Sequence, residues 1–206
     1  MVELISRGEK AINVRYRPMR FSEVIGMEAN KTALAKWMER GKKRSRALLL
    51  YGNFGSGKTT IAKILAMGLN CEKGDTIEPC LECPSCKAAI AEQAMHISEF
   101  NMSALSRKDD ADEIVKSMTN TCFTGRNRVF ILDEAQGMSN SSQNLLLKSA
   151  ENPPPNTYII ICTTEPQSIL NTLRSRCESY EFKKPTSADI KSMLAAVVKN
   201  EMPSMT

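Results

Sequence analysis

Runs of consecutive apolar residues alternate along the chain with segments whose apolar positions recur every three to four residues. Ala47-Leu48-Leu49-Leu50-Tyr51 predicts a buried strand. From Thr60 to Asn70 the apolar positions Ile61, Ile64, Leu65 and Leu69 fall at helical spacing. His96 to Asn101 predicts a second strand. Asp109 to Asn120 predicts a helix with acidic residues in its first turn, where the helix dipole favours them. Arg128 to Asp133 is a third strand. Ser139 to Glu151 is a helix closed by Pro153-Pro154-Pro155, which cannot continue it. Thr157 to Thr164 is a fourth strand around Ile159-Ile160-Ile161, and Ser179 to Phe182 a short fifth. After Pro185, Thr186 or Ser187 can cap a last helix running to about Asn200. Fully apolar strands separated by helices predict an α/β domain with a mainly parallel sheet covered on both faces.

The one predicted boundary is Lys183-Lys184-Pro185, dividing a main domain, 1–182, from a segment about one helix long, 183–206. The 206 residues are 42% apolar and 25% charged, the composition of a globular chain with a real core. No stretch reaches the roughly 18 apolar residues of a membrane span. Met1 to Arg7 lacks an apolar signal core, so the expectation is a cytoplasmic protein with no membrane contact. The net charge of +5 permits contact with a phosphate backbone without requiring it. Histidine occurs once, at His96, which excludes His-based catalysis and His-rich metal sites; His96 is expected in or beside the sheet. Trp37, with Ala33, Leu34 and Met38, reads as helix core, and the 12 methionines as core filling. Lys42-Lys43-Arg44-Ser45-Arg46 reads as a solvated loop or as a contact for DNA phosphates.

Candidate chemistry begins at Gly52-Asn53-Phe54-Gly55-Ser56-Gly57-Lys58-Thr59, which satisfies G-x-x-x-x-G-K-[ST] at every fixed position. It follows a predicted strand and opens a predicted helix at Thr60. Its glycines let backbone N–H groups turn inward around phosphate oxygens, and the helix N-terminus adds its positive end. Lys58 is expected on the β- and γ-phosphates, and the Thr59 hydroxyl on Mg²⁺. Arg128-Val129-Phe130-Ile131-Leu132-Asp133-Glu134 carries an acidic pair to the C-terminal end of a strand, where open α/β sheets bind ligands. Asp133 suits the Mg²⁺ shell. Glu134 suits the base that takes a proton from the attacking water.

Cys71, Cys80, Cys83 and Cys86 stand at C-x8-C-x2-C-x2-C, a spacing that can close a tetrahedral thiolate site for structural zinc. The stretch is too polar to be core, and four protein ligands leave no open position for catalysis. The expectation is a zinc module over 71–86 that pins a surface insertion. Cys122, Cys162 and Cys177 show no pairing logic and are expected to be reduced.

With these residues in view the chain resembles the AAA+ clamp-loader ATPases, in particular the gamma/tau branch of bacterial DNA polymerase III. The resemblance covers nearly the whole length. It begins at Tyr16-Arg17-Pro18 and Phe21-Ser22-Glu23-Val24-Ile25-Gly26, and includes the four-cysteine insertion after Gly68-Leu69-Asn70. It continues through Glu151-Asn152-Pro153-Pro154, Thr163-Thr164-Glu165-Pro166 and Ser175-Arg176-Cys177. The resemblance implies an AAA+ P-loop fold with a five-stranded parallel sheet and a zinc-binding insertion, using ATP, Mg²⁺ and Zn²⁺. It implies that Thr164 meets the γ-phosphate or the attacking water. Arg176 would act in trans as an arginine finger, a role suited to a planar, always-charged guanidinium. Arg15, Arg17, Ile25 and Gly26 would line the adenine pocket. Asn101 would either hold Glu134 inactive or simply cap its strand.

The resemblance further implies a ring of clamp-loader subunits that loads a sliding clamp on primed DNA. Two departures stand out. The family's D-E-x-H reads Asp133-Glu134-Ala135-Gln136, and residues 183–206 match only the first helix of the family's helical lid. The chain therefore reads as a truncated or phage-type relative. Its competing readings are a nucleotide-binding subunit that hydrolyses weakly or not at all, and a P-loop small-molecule kinase. The second gives the cysteine cluster and the Ser175-Arg176-Cys177 motif no purpose.

Overall fold

A computed structural model of the chain describes residues 11–104, 113–114, 116–118 and 125–201. A short helix α1 (Ile12–Arg15) and a longer α2 (Glu28–Glu39) precede strand β1 (Ala47–Gly52) and helix α3 (Lys58–Asn70). Helix α4 (Pro84–Ile90) leads to β2 (Ile97–Asn101). Strand β3 (Arg128–Asp133) is followed by α5 (Asn140–Glu151), β4 (Thr157–Thr163), the single turn α6 (Asn171–Arg174), β5 (Glu178–Phe182) and α7 (Ser187–Glu201). The helix expected over Asp109 to Asn120 lies partly outside the described residues, as does Cys122; Glu113, Ile114 and residues 116–118 are helical.

The five strands form one parallel sheet in the order β2-β3-β4-β1-β5. Strand β4 is buried at all seven positions because strands flank it on both edges and helices cover both faces. Alternate residues serve different layers. Leu48, Leu50, Val129, Ile131 and Ile160 pack against α2 and α3, where Leu34, Trp37, Ile61, Ile64 and Leu65 are buried. Leu49, Phe130, Leu132, Ile159 and Ile161 pack against α5 and α6 through Leu146, Ala150 and Leu173. This period-2 division turns continuous apolar runs into a three-layer sandwich.

Helix ends follow local chemistry. Ser139 stands outside α5 as its cap, its hydroxyl accepting from the Ser142 N–H at 3.1 Å. At α7, the Thr186 hydroxyl accepts from the Asp189 N–H at 3.1 Å, while the Asp189 carboxylate accepts from the Thr186 N–H at 2.8 Å. That reciprocal pair is a capping box with Asp in place of the usual Glu or Gln.

The cysteine-bearing insertion docks tightly on α3. A Cβ at Gly68 would lie 1.8 Å from the Thr76 carbonyl oxygen, so only glycine admits the loop there. Arg20 donates to the carbonyls of Pro79 and Cys80, both at 2.9 Å.

The basic run before β1 is partly interior, which corrects the reading of a solvated or DNA-facing loop. Arg44 is buried between the rings of Trp37 and Tyr158 and pairs with Asp75 of the insertion. Arg46 donates to the Pro154 carbonyl at 3.0 Å. Only Lys42 and Lys43 of its cations are exposed. A guanidinium tolerates this burial because its donors are used and its faces are stacked.

Candidate nucleotide and metal sites

Three adjacent strands, β1, β4 and β3, end side by side at one edge of the sheet. They deliver the glycine-rich loop, Thr163–Glu165 and Asp133–Glu134 to one place. Gly57 adopts φ +87° at the start of α3, a conformation glycine enters without strain. The Lys58 ammonium is nearly buried and donates to the carbonyls of Gly52 at 2.9 Å and Asn53 at 3.0 Å. Burial pushes its pKa below the ordinary lysine value, against the pull of the Glu134 and Asp133 carboxylates. The Thr59 hydroxyl donates to the Asp133 carboxylate at 2.8 Å. These two oxygens, expected from positions 74 residues apart to share Mg²⁺, are in contact, and they are hard donors of the type that ion takes.

Glu134 adopts φ +52°, unusual for a non-glycine residue. Its carbonyl accepts from the Gly137 N–H at 3.0 Å and from the Ser103 hydroxyl at 3.2 Å, and its N–H donates to Asp133 at 3.0 Å. Its carboxylate accepts from the side-chain amide of Gln136. The Gln136 amide oxygen in turn accepts from the Thr163 hydroxyl at 3.0 Å and the Thr164 N–H at 3.3 Å. Thr164, expected at the γ-phosphate, thus enters this network through its backbone. The buried hydroxyl belongs to Thr163. Asn101 is a strand-end cap, its side-chain oxygen accepting from the Ser103 N–H at 3.0 Å.

A cavity of about 200 Å³ adjoins the glycine-rich loop. Gly55, Ser56, Gly57 and Thr60 line it from the loop side, Val24 and Ile25 from the N-terminal segment, and Ile190 and Met193 from α7. Gly26 lies beside it, against the Asp189 carboxylate. Arg15 and Arg17, expected here, do not line it. Arg15 pairs with Glu201 at 3.3 Å, and Arg17 lines a different cavity of about 430 Å³ with α3, α4 and β2. The reason is the path of the chain. Tyr16 is tied to Glu201 at the far end of α7, and the segment reaches the loop only from Pro18 onward. Asn53 and Phe54 are exposed at the loop's tip, Phe54 at 83%.

Sequence reasoning missed the contribution of α7 to this cavity, although Ile190, Met193 and Leu194 show a helical spacing that marks an apolar face. It also missed Gln136 and Thr163. Their signal was the departure at the fourth position of Asp133-Glu134-Ala135-Gln136, with no assignable partner until the strands were placed.

Arg176 stands at the opposite end of the strands. Strand β5 pairs Glu178 with Leu48 and Phe182 with Gly52, so Arg176 precedes the loop's level by six residues. The four strand steps from Glu178 to Phe182 alone span roughly 13 Å at ~3.3 Å per residue, and Arg176 lies in the turn before them, beyond the reach of an arginine side chain. Its Nε donates to Glu151 at 3.0 Å and its Nη1 to the Thr172 carbonyl at 2.7 Å.

The sulfur atoms of Cys71, Cys80, Cys83 and Cys86 all lie within 4.8 Å of one another. A tetrahedral site with Zn–S near 2.3 Å requires sulfurs about 3.8 Å apart, so the cluster fits that ion. Backbone N–H groups of Cys80, Cys83 and Cys86 point at the sulfurs of Cys71, Cys80 and Cys83, each at 3.4 Å. Such donors favour thiolates, and those of Glu82 and Cys83 hold the Cys80 thiol down to about 6. Cys162 and Cys177 are free thiols raised by burial, Cys177 to about 12. His96 is buried beside the start of β2 with Nε2 3.0 Å from the Ser85 hydroxyl, and burial lowers its pKa.

The family model described as DNA polymerase III, delta subunit, matches residues 27–186. The DNA polymerase III subunit gamma/tau of Mycoplasma genitalium is 36% identical over 91% of this chain. The subunit tau of Escherichia coli is 33% identical over 91%. The chain spans 31% and 29% of the lengths of these two relatives. Among solved structures, a RuvB of Thermotoga maritima superimposes with a TM-score of 0.63 at 20% identity, over 90% of this chain and 54% of that one. A DNA polymerase III gamma subunit-related protein of the same organism gives 0.54 at 14% identity, over 82% and 57%. Among the described residues no helix is long and apolar enough to cross a membrane.

Proposed function

Since the chain belongs to the DNA polymerase III delta-subunit family and is an AAA+ clamp-loader relative, we propose that it is a clamp-loader ATPase subunit of DNA replication. In this reading ATP binding and hydrolysis within a ring of subunits drive the loading of a sliding clamp onto primed DNA in the cytoplasm. The observation that carries the reading is the contact between Thr59 and Asp133, with Glu134 beside it and Lys58 in the same loop. A phosphate-binding loop alone would support binding. A second carboxylate next to the Mg²⁺ ligands supports hydrolysis, which needs a base as well as a metal.

Lys58 would exchange its two carbonyl partners for β- and γ-phosphate oxygens. Thr59 and Asp133 would hold Mg²⁺, which supplies charge neutralisation on the phosphates. Glu134 would accept the proton of the attacking water. The cavity beside the loop would take the base against Val24, Ile25, Ile190 and Met193, with α7 as the first helix of a lid domain that begins at 183. The test is ATP turnover by the chain mixed with partner clamp-loader subunits, a sliding clamp and primed DNA. Turnover should rise when primed DNA is added; a rate indifferent to clamp and DNA would reject the clamp-loading reading.

The four cysteines would hold one structural Zn²⁺. Elemental analysis of purified protein should find about one zinc per chain, and four freely titrating thiols without zinc would exclude the site. Chelation should loosen residues 71–86 while leaving ATP affinity within about twofold, because the phosphate loop uses none of these sulfurs.

A further inference from the structure

Among the described residues, the side chain that joins the acidic pair at the end of β3 to the end of β4 is Gln136. Its amide N–H₂ donates to the Glu134 carboxylate, and its amide oxygen accepts from both the Thr163 hydroxyl and the Thr164 N–H. The orientation of the amide is dictated by its partners. A carboxylate can only accept and a backbone N–H can only donate, so nitrogen faces Glu134 and oxygen faces β4. The anchoring hydroxyl is itself held: Thr163 is buried, and its oxygen also accepts from the Glu165 N–H at 3.1 Å. On the other side, the turn carrying Gln136 is locked by close approach. A Cβ at Gly137 would lie 2.5 Å from the Ser103 Cα, and Ser103 holds the Glu134 carbonyl. The Glu134 carboxylate, at the tip of a flexible side chain on a left-handed residue, has no other hydrogen-bond donor among the described residues.

We infer that Gln136 is a positioning residue: it holds the Glu134 carboxylate in place and ties that place to the end of β4. The tie runs through three bonds that share one amide, one to Glu134 and two to the end of β4. Gln136 acts through the Glu134 carboxylate rather than on the water or the phosphates. Its effect is on where the base stands, and a displacement of about 1 Å in such a group costs on the order of 100-fold in rate. The inference rests on the ATPase reading above for its kinetic consequence, but the hydrogen-bonded tie itself does not.

Two measurements test it. The first needs no turnover. The side-chain amide resonances of Gln136, assigned by their loss in Gln136→His, should shift in nucleotide-free protein when either Glu134→Ala or Thr163→Val is introduced. Insensitivity to either change would overturn the tie.

The second is a double-mutant cycle in ATP hydrolysis by the full chain with its partner subunits, clamp and primed DNA. Gln136→Leu and Thr163→Val should each lower kcat about 10- to 100-fold with KM within about twofold. The double variant should be no slower than the slower single one, the signature of one shared linkage. Gln136→His should recover most of the rate, because neutral imidazole also presents a donor at one end and an acceptor at the other. Independent, multiplying losses, or a raised KM at unchanged kcat, would overturn the positioning role. Absence of turnover in the wild-type mixture would instead reject the ATPase reading, while the resonance measurement still decides whether the tie exists.

Discussion

Glu134→Gln is expected to bind ATP as tightly as the parent chain and to lose hydrolysis by about 10²- to 10⁴-fold, the usual worth of a positioned proton acceptor. The amide keeps the size and the reach of the carboxylate but cannot take a proton from water. It also leaves Thr59, Asp133 and the carbonyl contacts of Lys58 untouched. Lys58→Ala should do the reverse. It removes a charge-assisted bond to the triphosphate, worth about 1.5–3 kcal/mol, so affinity should fall roughly 10- to 100-fold. Binding is measured by titration with a non-hydrolysable analogue, turnover by phosphate release. Equal loss of binding in the two variants would defeat the division of roles.

Arg176→Ala is expected to leave the nucleotide affinity of its own subunit unchanged and to silence the site of a neighbour. The geometry is the reason: Arg176 lies in the turn before β5, at the end of the strands opposite its own phosphate loop, with roughly 13 Å of strand between them at ~3.3 Å per residue. In its own subunit the guanidinium is held by Glu151 and the Thr172 carbonyl, which among the described residues leaves Nη2 for another partner. An arginine finger is worth about 10³–10⁵ in rate, because it stabilises charge on the phosphoryl oxygens as the bond breaks. In rings mixed from wild-type and variant subunits at saturating ATP, turnover should fall in proportion to the interfaces that lack the finger. Full-rate hydrolysis by a dilute monomer, unaltered by Arg176→Ala, is the outcome that sinks the trans reading.

Both expectations start from residues legible in the chain itself, and the reason they were legible is local. Strands were visible because burial on both faces demands unbroken apolar runs such as Leu48-Leu49-Leu50 and Ile159-Ile160-Ile161. The phosphate loop was visible because its chemistry needs glycines and Lys58 at fixed offsets within one turn. The cysteine cluster was visible because thiols able to close one tetrahedral site recur at close spacing along a short loop. Helix limits were good to a residue or two where a cap was present, as at Ser139 and Thr186.

What the chain could not disclose were relations between segments distant in sequence. Arg44 sits in a basic run that resembles a solvated loop. Only the packing of α2 against β4 supplies the Trp37 and Tyr158 faces that enclose it. Arg15 and Arg17 belong to a recognisable motif, yet the anchoring of Tyr16 at Glu201 carries them away from the loop. The cavity beside the loop needs α7, whose apolar face could be seen but whose place could not.

The sequence by itself determined the layered α/β class, the phosphate loop with its acidic partner, and the four sulfurs, because each is encoded by periodicity or by spacing within a single segment. The tertiary structure alone decided that β4 is inserted between β1 and β3. That order puts Thr163 within a hydrogen bond of Gln136, and the register of β5 on β1 sets Arg176 at the end of the strands away from the phosphate loop. Strand order has no local signature, since every buried parallel strand presents the same apolar run whichever neighbours it pairs with.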